Sequence, residues 1–333
     1  MKFATAVLAL IASASAASAS PAPASVATQS DLFAFEEFKI EYSKDYTGTE
    51  HDERLSIFIK NLRIIDDRNQ AERAAGGTAV HGINKFSDWH PDEFSSFFLG
   101  AFESHKTEEG QIVSDLPTYD ADAELVDWTG KLTTPVKNQR QCGSCWAFSA
   151  TEQLESDIMR LTGSTVILSP QQTVSCDSLA MGCNGGWTES AYKYVKRVGG
   201  QQLESDYPYT SGTGNSGKCD ADVSKAAATL TDYTTVQGED NMASYVQSTG
   251  PLSVCLDAST WSSYTGGVLK VCGSQVDHCV QAVGVLPDSK TGYWKVRNSW
   301  GTTWGESGYI RLSFGSDTCA ITNDPTYVDA VLV

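Results

Sequence analysis

Residues 139–148 read Gln-Arg-Gln-Cys-Gly-Ser-Cys-Trp-Ala-Phe. A helix is predicted to begin near Cys145 and to stop near Gly163, because apolar residues recur at helical spacing between them. Only the thiolate form of cysteine is a strong nucleophile, and a helix N-terminus favours that form. Cys145 is therefore a candidate nucleophile, and Gln139, six residues earlier, is a candidate oxyanion donor. The alternative is that Cys142 and Cys145 form a redox or zinc-binding pair, since a C-x-x-C motif can be either.

The composition favours a secreted globular protein. The chain has 333 residues, of which 41% are hydrophobic, which is enough for a leader and one or two folded units. Nine cysteines suit an oxidising compartment. Residues 1–19 resemble a signal peptide, with a basic start, an apolar run and a small-residue cleavage site, and no later run is long enough to span a membrane. A net charge of −17 does not favour a nucleic-acid or anionic-membrane partner.

The cysteines divide the rest of the chain into two parts. All nine lie between Cys142 and Cys319, and a polar, loop-rich stretch over residues 101–120 reads as a cleavable linker. We therefore expect a front part (residues 20–120) and a back part (residues 121–333) that fold separately. Short β-rich segments of the back part predict strands over residues 252–256, 266–271, 282–286 and 293–297.

The back part contains a single histidine, His278, which is the one imidazole available there to Cys145. Such an imidazole can take the thiol proton and later protonate the leaving amine. Asn298 is a candidate acceptor for the other ring N–H, although an Asn-Ser sequence before Trp-Gly also suits an ordinary turn.

These motifs resemble those of the papain-like cysteine peptidases. Cys142-Gly143-Ser144-Cys145-Trp146 is similar to the family's active-site signature, and His278 and Asn298 follow Cys145 by 133 and 153 residues. The resemblance implies Cys145, His278, Asn298 and Gln139 as catalytic residues and Trp300 as a shield for the Asn–His hydrogen bond. It also implies an α+β papain-like fold with two lobes, one helical and one β-barrel-like, behind a mainly helical propeptide.

The front part is similar to an inhibitory propeptide of the cathepsin L-like subgroup. One helical face is predicted to carry Glu50, Arg54, Phe58, Asn61, Ile65 and Asn69. Gly82, Asn84, Phe86 and Asp88 follow at two-residue spacing, which suits a short strand. The resemblance implies that the chain beyond them crosses the active-site cleft in a non-productive direction. We expect lower pH to protonate carboxylates such as Asp88 and Glu50 and to loosen this inhibition.

The resemblance implies three disulfides, Cys142–Cys183, Cys176–Cys219 and Cys272–Cys319. Cys255 and Cys279 are left over and depart from the family pattern; they are either two buried thiols or a fourth disulfide. Both match positions in the pocket for the substrate side chain two residues before the scissile bond. The resemblance places Gly186, Trp187, Thr188 and Asp324 in the same substrate site, although Asn323-Asp324-Pro325 is also ordinary turn chemistry.

The predicted function is that of a cysteine endopeptidase made as a secreted zymogen, without cofactor or metal. Its expected partners are peptide and protein substrates, its own propeptide and cystatin-like inhibitors, and it is expected to be a monomer. Its expected location is the secretory pathway, ending outside the cell or in a lysosome or vacuole. The alternatives are a non-catalytic protease-like binding protein and an exopeptidase.

Overall fold

The computed structural model describes residues 27–101, 110–288 and 290–333. The predicted signal peptide and part of the predicted linker lie outside the described residues. None of the described helices is long and apolar enough to cross a membrane.

The helices are α1 (Gln29–Glu41), α2 (Gly48–Ala74), α3 (Pro91–Phe98), α4 (Cys145–Thr162), α5 (Pro170–Cys176), α6 (Thr188–Val198) and α7 (Glu239–Ser248). The strands are β1 (Val80–His81), β2 (Gln111–Val113), β3 (Val126–Asp127), β4 (Gln201–Gln202), β5 (Ala226–Val236), β6 (Leu252–Leu256), β7 (Tyr264–Gly266), β8 (Val268–Leu269), β9 (His278–Leu286), β10 (Tyr293–Arg297), β11 (Tyr309–Ser313) and β12 (Thr326–Leu332).

The front part is organised around the long helix α2. Helix α1 begins with a capping box, in which the backbone N–H groups of Thr28 and Asp31 are each bound by the other's side chain. Phe35 and Phe38 of α1 pack against Phe58 of α2, with ring centroids 5.2 and 5.1 Å from that of Phe58. This aromatic cluster holds the two helices together.

The polar face predicted for α2 binds the chain that folds back onto the helix. The guanidinium of Arg54 donates to both carboxylate oxygens of Glu93, at 2.7 and 2.9 Å. Asn61 Nδ2 donates to two backbone carbonyls of the returning chain, both at 2.8 Å. The side chain of Asn69 binds both the N–H and the carbonyl of His81. All six predicted face residues lie within α2, so the helix prediction is confirmed and its polar character is explained.

The strand predicted from the spacing of Gly82 to Asp88 is wrong. Strand β1 ends at His81, and the chain then makes turns in which Ser87 N–H donates to the Asn84 carbonyl at 2.9 Å. The Asn84 side chain also accepts from the backbone N–H of Phe86 at 2.9 Å. An asparagine that bonds the backbone two residues ahead stabilises a turn in place of a strand ladder. The two-residue spacing therefore reflects successive turn contacts.

Helix α4 is the central element of the back part, and most of its length is buried. Ser144 is its N-cap residue, and the backbone N–H groups of Ala147 and Phe148 bond to the Ser144 carbonyl. The helix ends at Gly163, whose φ of 71° is the left-handed conformation that glycine adopts readily. The predicted start and stop are both confirmed. Helices α5 and α6 pack around α4 and complete the helical lobe.

The second lobe is built on a sheet in which β9 is a central strand. Within the described residues the order is β2-β5-β12-β6-β9-β10-β11-β8, with β3 added to β9 and β4 to β5, so the sheet is open. The strands predicted over residues 252–256 and 293–297 are β6 and β10, and the one over 282–286 is the end of β9. The one predicted over 266–271 is divided between β7 and β8. The α+β prediction is confirmed.

The nine cysteines form four disulfides and one free thiol. The three pairs implied by the resemblance, Cys142–Cys183, Cys176–Cys219 and Cys272–Cys319, are all present. The fourth disulfide joins Cys255 to Cys279, which lie directly opposite each other on β6 and β9. The free thiol is Cys145.

Candidate active site

Cys145 is the first residue of α4 and is fully buried. The loop before it is anchored by the Cys142–Cys183 disulfide and by the Gly143 N–H, which donates to the Cys183 carbonyl at 2.9 Å. Because Cys142 is bonded to Cys183, it does not form a redox or zinc pair with Cys145. Among the described residues, no group of three His, Cys, Asp or Glu side chains could hold a metal ion.

His278 and Asn298 form a buried hydrogen-bonded pair. His278 begins β9 and Asn298 follows β10, and these two strands are neighbours in the sheet. His278 Nε2 lies 2.8 Å from Asn298 Oδ1. Since an amide oxygen can only accept, Nε2 carries the proton and Nδ1 is left as an acceptor. The Trp300 ring packs against the imidazole in a tilted arrangement, with ring centroids 4.8 Å apart.

Burial keeps both groups neutral in this covered state. It raises the pKa of the Cys145 thiol to about 12, and this outweighs the opposite effect of nearby N–H groups such as that of Cys279. Burial also lowers the pKa of His278 to about 4, against the opposing effect of its bond to Asn298. In the covered state the site therefore holds an uncharged thiol and an uncharged imidazole.

The side-chain amide of Gln139 is held in one orientation. Its Oε1 accepts from the Ser299 hydroxyl at 2.6 Å, so Nε2 must be the donor end. Nε2 donates to the Cys142 carbonyl at 2.9 Å and to the Phe98 carbonyl at 3.1 Å. Phe98 belongs to the front part of the chain. A carbonyl oxygen of the front part therefore accepts from one donor of the predicted oxyanion site.

The front part crosses the site at Gly100 and Ala101. Their N–H groups both bond to the Asp277 carbonyl, at 2.9 and 3.0 Å, while the Gly186 N–H donates to the Gly100 carbonyl at 2.9 Å. Ala101 pairs with Gly186 in a parallel bridge and is fully buried. A Cβ atom at Gly100 would lie only 2.2 Å from the Gly143 carbonyl oxygen. The covering segment therefore lies so close to the cleft that only glycine fits.

The residues predicted to form the substrate pocket are brought together. Trp187 Nε1 donates to Asp324 Oδ2 at 2.8 Å, and both side chains are fully buried. The Thr188 hydroxyl lies 3.9 Å from Cys255 Sγ, which connects this wall to the Cys255–Cys279 disulfide. Trp187, the disulfide and Ala101 belong to one apolar cluster that also contains Cys145.

Two protein-family models match the chain, one in each of its two parts. The model of the papain family cysteine protease matches residues 123–329, and that of the cathepsin propeptide inhibitor domain matches residues 35–94. The chain belongs to the papain family of cysteine proteases.

Full-length relatives and proenzyme structures agree with this assignment. Cysteine proteinase 1 of Dictyostelium discoideum is 37% identical over 316 residues, covering 87% of this protease and 90% of the relative. Digestive cysteine proteinase 1 of Homarus americanus is 36% identical over 307 residues, covering 88% and 94%. Digestive procathepsin L2 from Tenebrio molitor larval midgut superposes with a TM-score of 0.78 at 31% identity, covering 90% and 99%. The recombinant stem bromelain precursor gives a TM-score of 0.76 at 30% identity, with the same coverage.

The sequence analysis missed several residues that build this protease site. Ser299 orients Gln139, and Asp277 supplies the carbonyl that binds the covering segment. Ser299 follows Asn298 and Asp277 precedes His278, so their position beside a predicted catalytic residue could have indicated a role in the site. Trp261 and His278 make a T-shaped ring contact with centroids 6.0 Å apart, and Gly100 fits where a side chain would not. These two lie in segments without a recognised motif, so their roles became visible only in the fold.

Proposed function

We propose that this chain is the zymogen of a cysteine endopeptidase in which Cys145 is the nucleophile. The observation that carries the proposal is the position of the proregion, whose Phe98–Ala101 segment covers Cys145 and bonds to the amide of Gln139. A segment that covers the thiol keeps substrate out, and this is what a latent peptidase requires. The pairing of His278 with Asn298 at 2.8 Å supports the same assignment.

The proposed reaction follows from the donor and acceptor positions. His278 Nδ1 takes the proton of the Cys145 thiol, and the thiolate attacks the substrate carbonyl carbon. The Gln139 amide and the Cys145 backbone N–H stabilise the oxyanion. As the C–N bond breaks, the imidazolium gives its proton to the leaving amine and an acyl-enzyme remains. Water, deprotonated by His278, then hydrolyses the thioester and releases Cys145.

Asn298 and Trp300 are assigned supporting roles. Asn298 Oδ1 fixes the imidazole so that Nδ1 can face the thiol, and the Trp300 ring covers the His278–Asn298 hydrogen bond. Excluding water strengthens that bond because the local dielectric constant is low.

The substrate is proposed to bind along Gly186, with one side chain in the pocket formed by Trp187, Cys255, Cys279 and Asp324. The Gly186 N–H, which now bonds to the Gly100 carbonyl, would bond to the substrate backbone in the same extended manner. The disulfide offers an apolar wall, and the Asp324 carboxylate, which accepts from Trp187, supplies the acidic group. An arginine side chain suits this combination of apolar stem and acidic end.

The pocket assignment is tested by substrate selectivity. Asp324→Asn keeps the shape and the acceptor for Trp187 but removes the charge. We expect the ratio of kcat/KM for peptides with Arg, relative to Leu, at this subsite to fall about tenfold. Glu204→Gln is the matched control, because the Glu204 carboxylate accepts from the Tyr209 N–H at 3.0 Å and not from Trp187, and it should not change the ratio. An unchanged ratio in Asp324→Asn would remove Asp324 from the pocket.

The catalytic assignment is tested by active-site titration. The proregion is removed, and Cys145 is labelled with an irreversible thiol-directed peptidyl inhibitor. A stoichiometry near one, lost in Cys145→Ser, supports catalysis; no labelling would support a non-catalytic binding protein. Cleavage of a peptide blocked at both ends would identify an endopeptidase, and cleavage only of peptides with free ends would identify an exopeptidase.

The proposed zymogen would enter the secretory pathway through a signal peptide at residues 1–19 and mature by losing residues 20–120. Four disulfides support an oxidising compartment, in which they persist. The mature enzyme is further proposed to be a monomer, to act outside the cell or in a lysosome or vacuole, and to be inhibited by cystatin-like proteins. N-terminal sequencing of the secreted and the mature forms tests both proposed cleavage positions.

A further inference from the structure

A second contact between the proregion and the catalytic domain lies at strand β1. This strand pairs antiparallel with β7 of the catalytic domain, with His81 opposite Tyr264. The Gly82 N–H continues the pairing by donating to the Ser263 carbonyl at 2.8 Å. The His81 side chain is buried, with 3% of its surface exposed. A titratable ring is thus enclosed where the proregion is held against the enzyme.

The hydrogen bonds around His81 favour its neutral form. Its Nδ1 lies 2.9 Å from the Ser263 hydroxyl oxygen, and the Arg68 guanidinium donates to that same oxygen at 2.7 Å. Because the hydroxyl accepts from Arg68, its single proton is free to be donated to His81 Nδ1. Protonation of Nδ1 would end that donation and place a second cation beside the guanidinium of Arg68.

Neighbouring charges offer no compensation for an imidazolium at this position. On α2, the facing charged group is Arg68, and Glu72 directs both carboxylate oxygens to the backbone N–H groups of Lys270 and Val271. On the β7 side, Tyr264 donates its hydroxyl to the Gly267 carbonyl, and Glu306 pairs with Arg311. Within the described residues, no carboxylate forms an ion pair with His81.

Three carboxylates of the proregion differ from His81 in their surroundings. Burial raises the pKa of Glu72, so protonation of this group favours the docked state. Asp88 binds Lys44 and Tyr46, which both belong to the proregion itself. Glu50, also expected to respond to pH, lies exposed in the first turn of α2. His81 therefore stands out as a group at the interface whose charging opposes docking.

We propose that His81 is an acid-sensing latch: neutral His81 holds β1 against β7, and its protonation releases the proregion. This deepens the proposed zymogen function and rests on it. Burial, aided by the charge of Arg68, lowers the pKa of His81 from about 6.5 to about 4. The docked state is then fully favoured above pH 6.5 and is weakened progressively as pH falls toward 4. At pH 5 the docking equilibrium is weaker by up to about 30-fold.

Amide hydrogen exchange in the full-length Cys145→Ala chain tests the latch without requiring activity or permitting self-cleavage. The readout is the protection factor at Gly82, corrected for the intrinsic effect of pH, at pH 7.5 and pH 5. We expect a loss of protection of about tenfold or more in this chain. The loss should be less than threefold when His81→Gln is added, since glutamine can accept from Ser263 at both pH values. His81→Arg should already lack protection at pH 7.5. His51 is a partly exposed histidine of the same proregion, and His51→Gln, as the control, should behave like the parent.

A loss of protection in His81→Gln as large as in the parent overturns the latch. Retained protection at pH 7.5 in His81→Gln confirms that the variant is folded and docked. The functional readout is the rate of Cys145 labelling in zymogens that retain Cys145, divided by the rate for the proregion-free enzyme at the same pH. We expect faster labelling at pH 5 than at pH 7.5 in the parent and in His51→Gln, little change in His81→Gln, and fast labelling at both pH values in His81→Arg. If the proregion-free enzyme is not labelled at all, the proposed peptidase function fails, while the exchange result still decides the latch.

Discussion

Replacing Gly100 by alanine should activate the zymogen without any cleavage. The added Cβ would lie 2.2 Å from the Gly143 carbonyl oxygen and 2.6 Å from its carbonyl carbon, more than 1 Å inside normal contact. Gly143 cannot give way easily, because its N–H bonds to Cys183 and its neighbour Cys142 is tied to Cys183 by a disulfide. The proregion segment must therefore move away from the cleft.

The size of the effect follows from the hydrogen bonds that this movement breaks. Three bonds depend on the present path: Gly100 and Ala101 to the Asp277 carbonyl, and Gly186 to the Gly100 carbonyl. At about 0.5–1.5 kcal/mol net for each bond, the loss of all three weakens docking by about 1.5–4.5 kcal/mol. This corresponds to a roughly 10- to 2,000-fold increase in the fraction of uncovered zymogen.

The assay is the initial rate of Cys145 labelling by a thiol-directed peptidyl inhibitor in intact zymogen at neutral pH. Gly82→Ala is the matched control, because its Cβ would meet only the end of the Thr265 side chain, at 3.3 Å. Gly100→Ala should be labelled at least tenfold faster than the parent, and Gly82→Ala at the parental rate. Equal labelling of Gly100→Ala and the parent would refute the argument that this close approach maintains latency.

Three further results are expected. Gln139→Ala should lower kcat of the proregion-free enzyme by about 10²- to 10³-fold with little change in KM, as steady-state kinetics with a fluorogenic peptide would show; a change confined to KM would contradict the oxyanion role. Burial opposes ionisation of Glu93, but its hydrogen bonds and charge interaction with Arg54 hold its pKa below the ordinary 4.5. The stability that this pair contributes is present above pH 4.5 and is lost as pH falls below it. The Tm of the zymogen should therefore fall less between pH 6 and pH 3.5 in Glu93→Gln than in the parent. Removing both pocket sulfurs in Cys255→Ala/Cys279→Ala should raise kcat/KM for Phe relative to Val at the pocket subsite by about tenfold, and an unchanged ratio would place the disulfide outside the pocket.

The sequence was sufficient for the elements whose signals are local. Helix α4 has an apolar period and a terminal glycine, and its start near Cys145 follows from them. The polar face of α2 also follows from spacing, although its partners could not be known before the chain was seen to fold back. Beside these, the stretch after Gly82 was misread, because two-residue spacing does not distinguish a strand from turns held by asparagine.

The contacts that make the site latent could not be read from the sequence. Gly100 is bound to Asp277 and Gly186, which lie far from it along the chain, and nothing around it signals a close approach. Likewise, His81 is an ordinary polar residue until β7 is placed beside it and Arg68 is directed to the same hydroxyl. Long-range pairing determines the surroundings of these residues, and no local pattern encodes it.

The Cys255–Cys279 disulfide sets limits on the redox conditions under which the mature enzyme can work. The proposed nucleophile, Cys145, acts only as a free thiol, whereas the proposed pocket wall is the Cys255–Cys279 disulfide and exists in this form only when oxidised. Thiol reductants added to keep the nucleophile reduced act on both sulfur groups. Reductant concentration is therefore a variable of selectivity as well as of activity, and substrate preferences measured in strong and in mild reductant need not describe the same pocket.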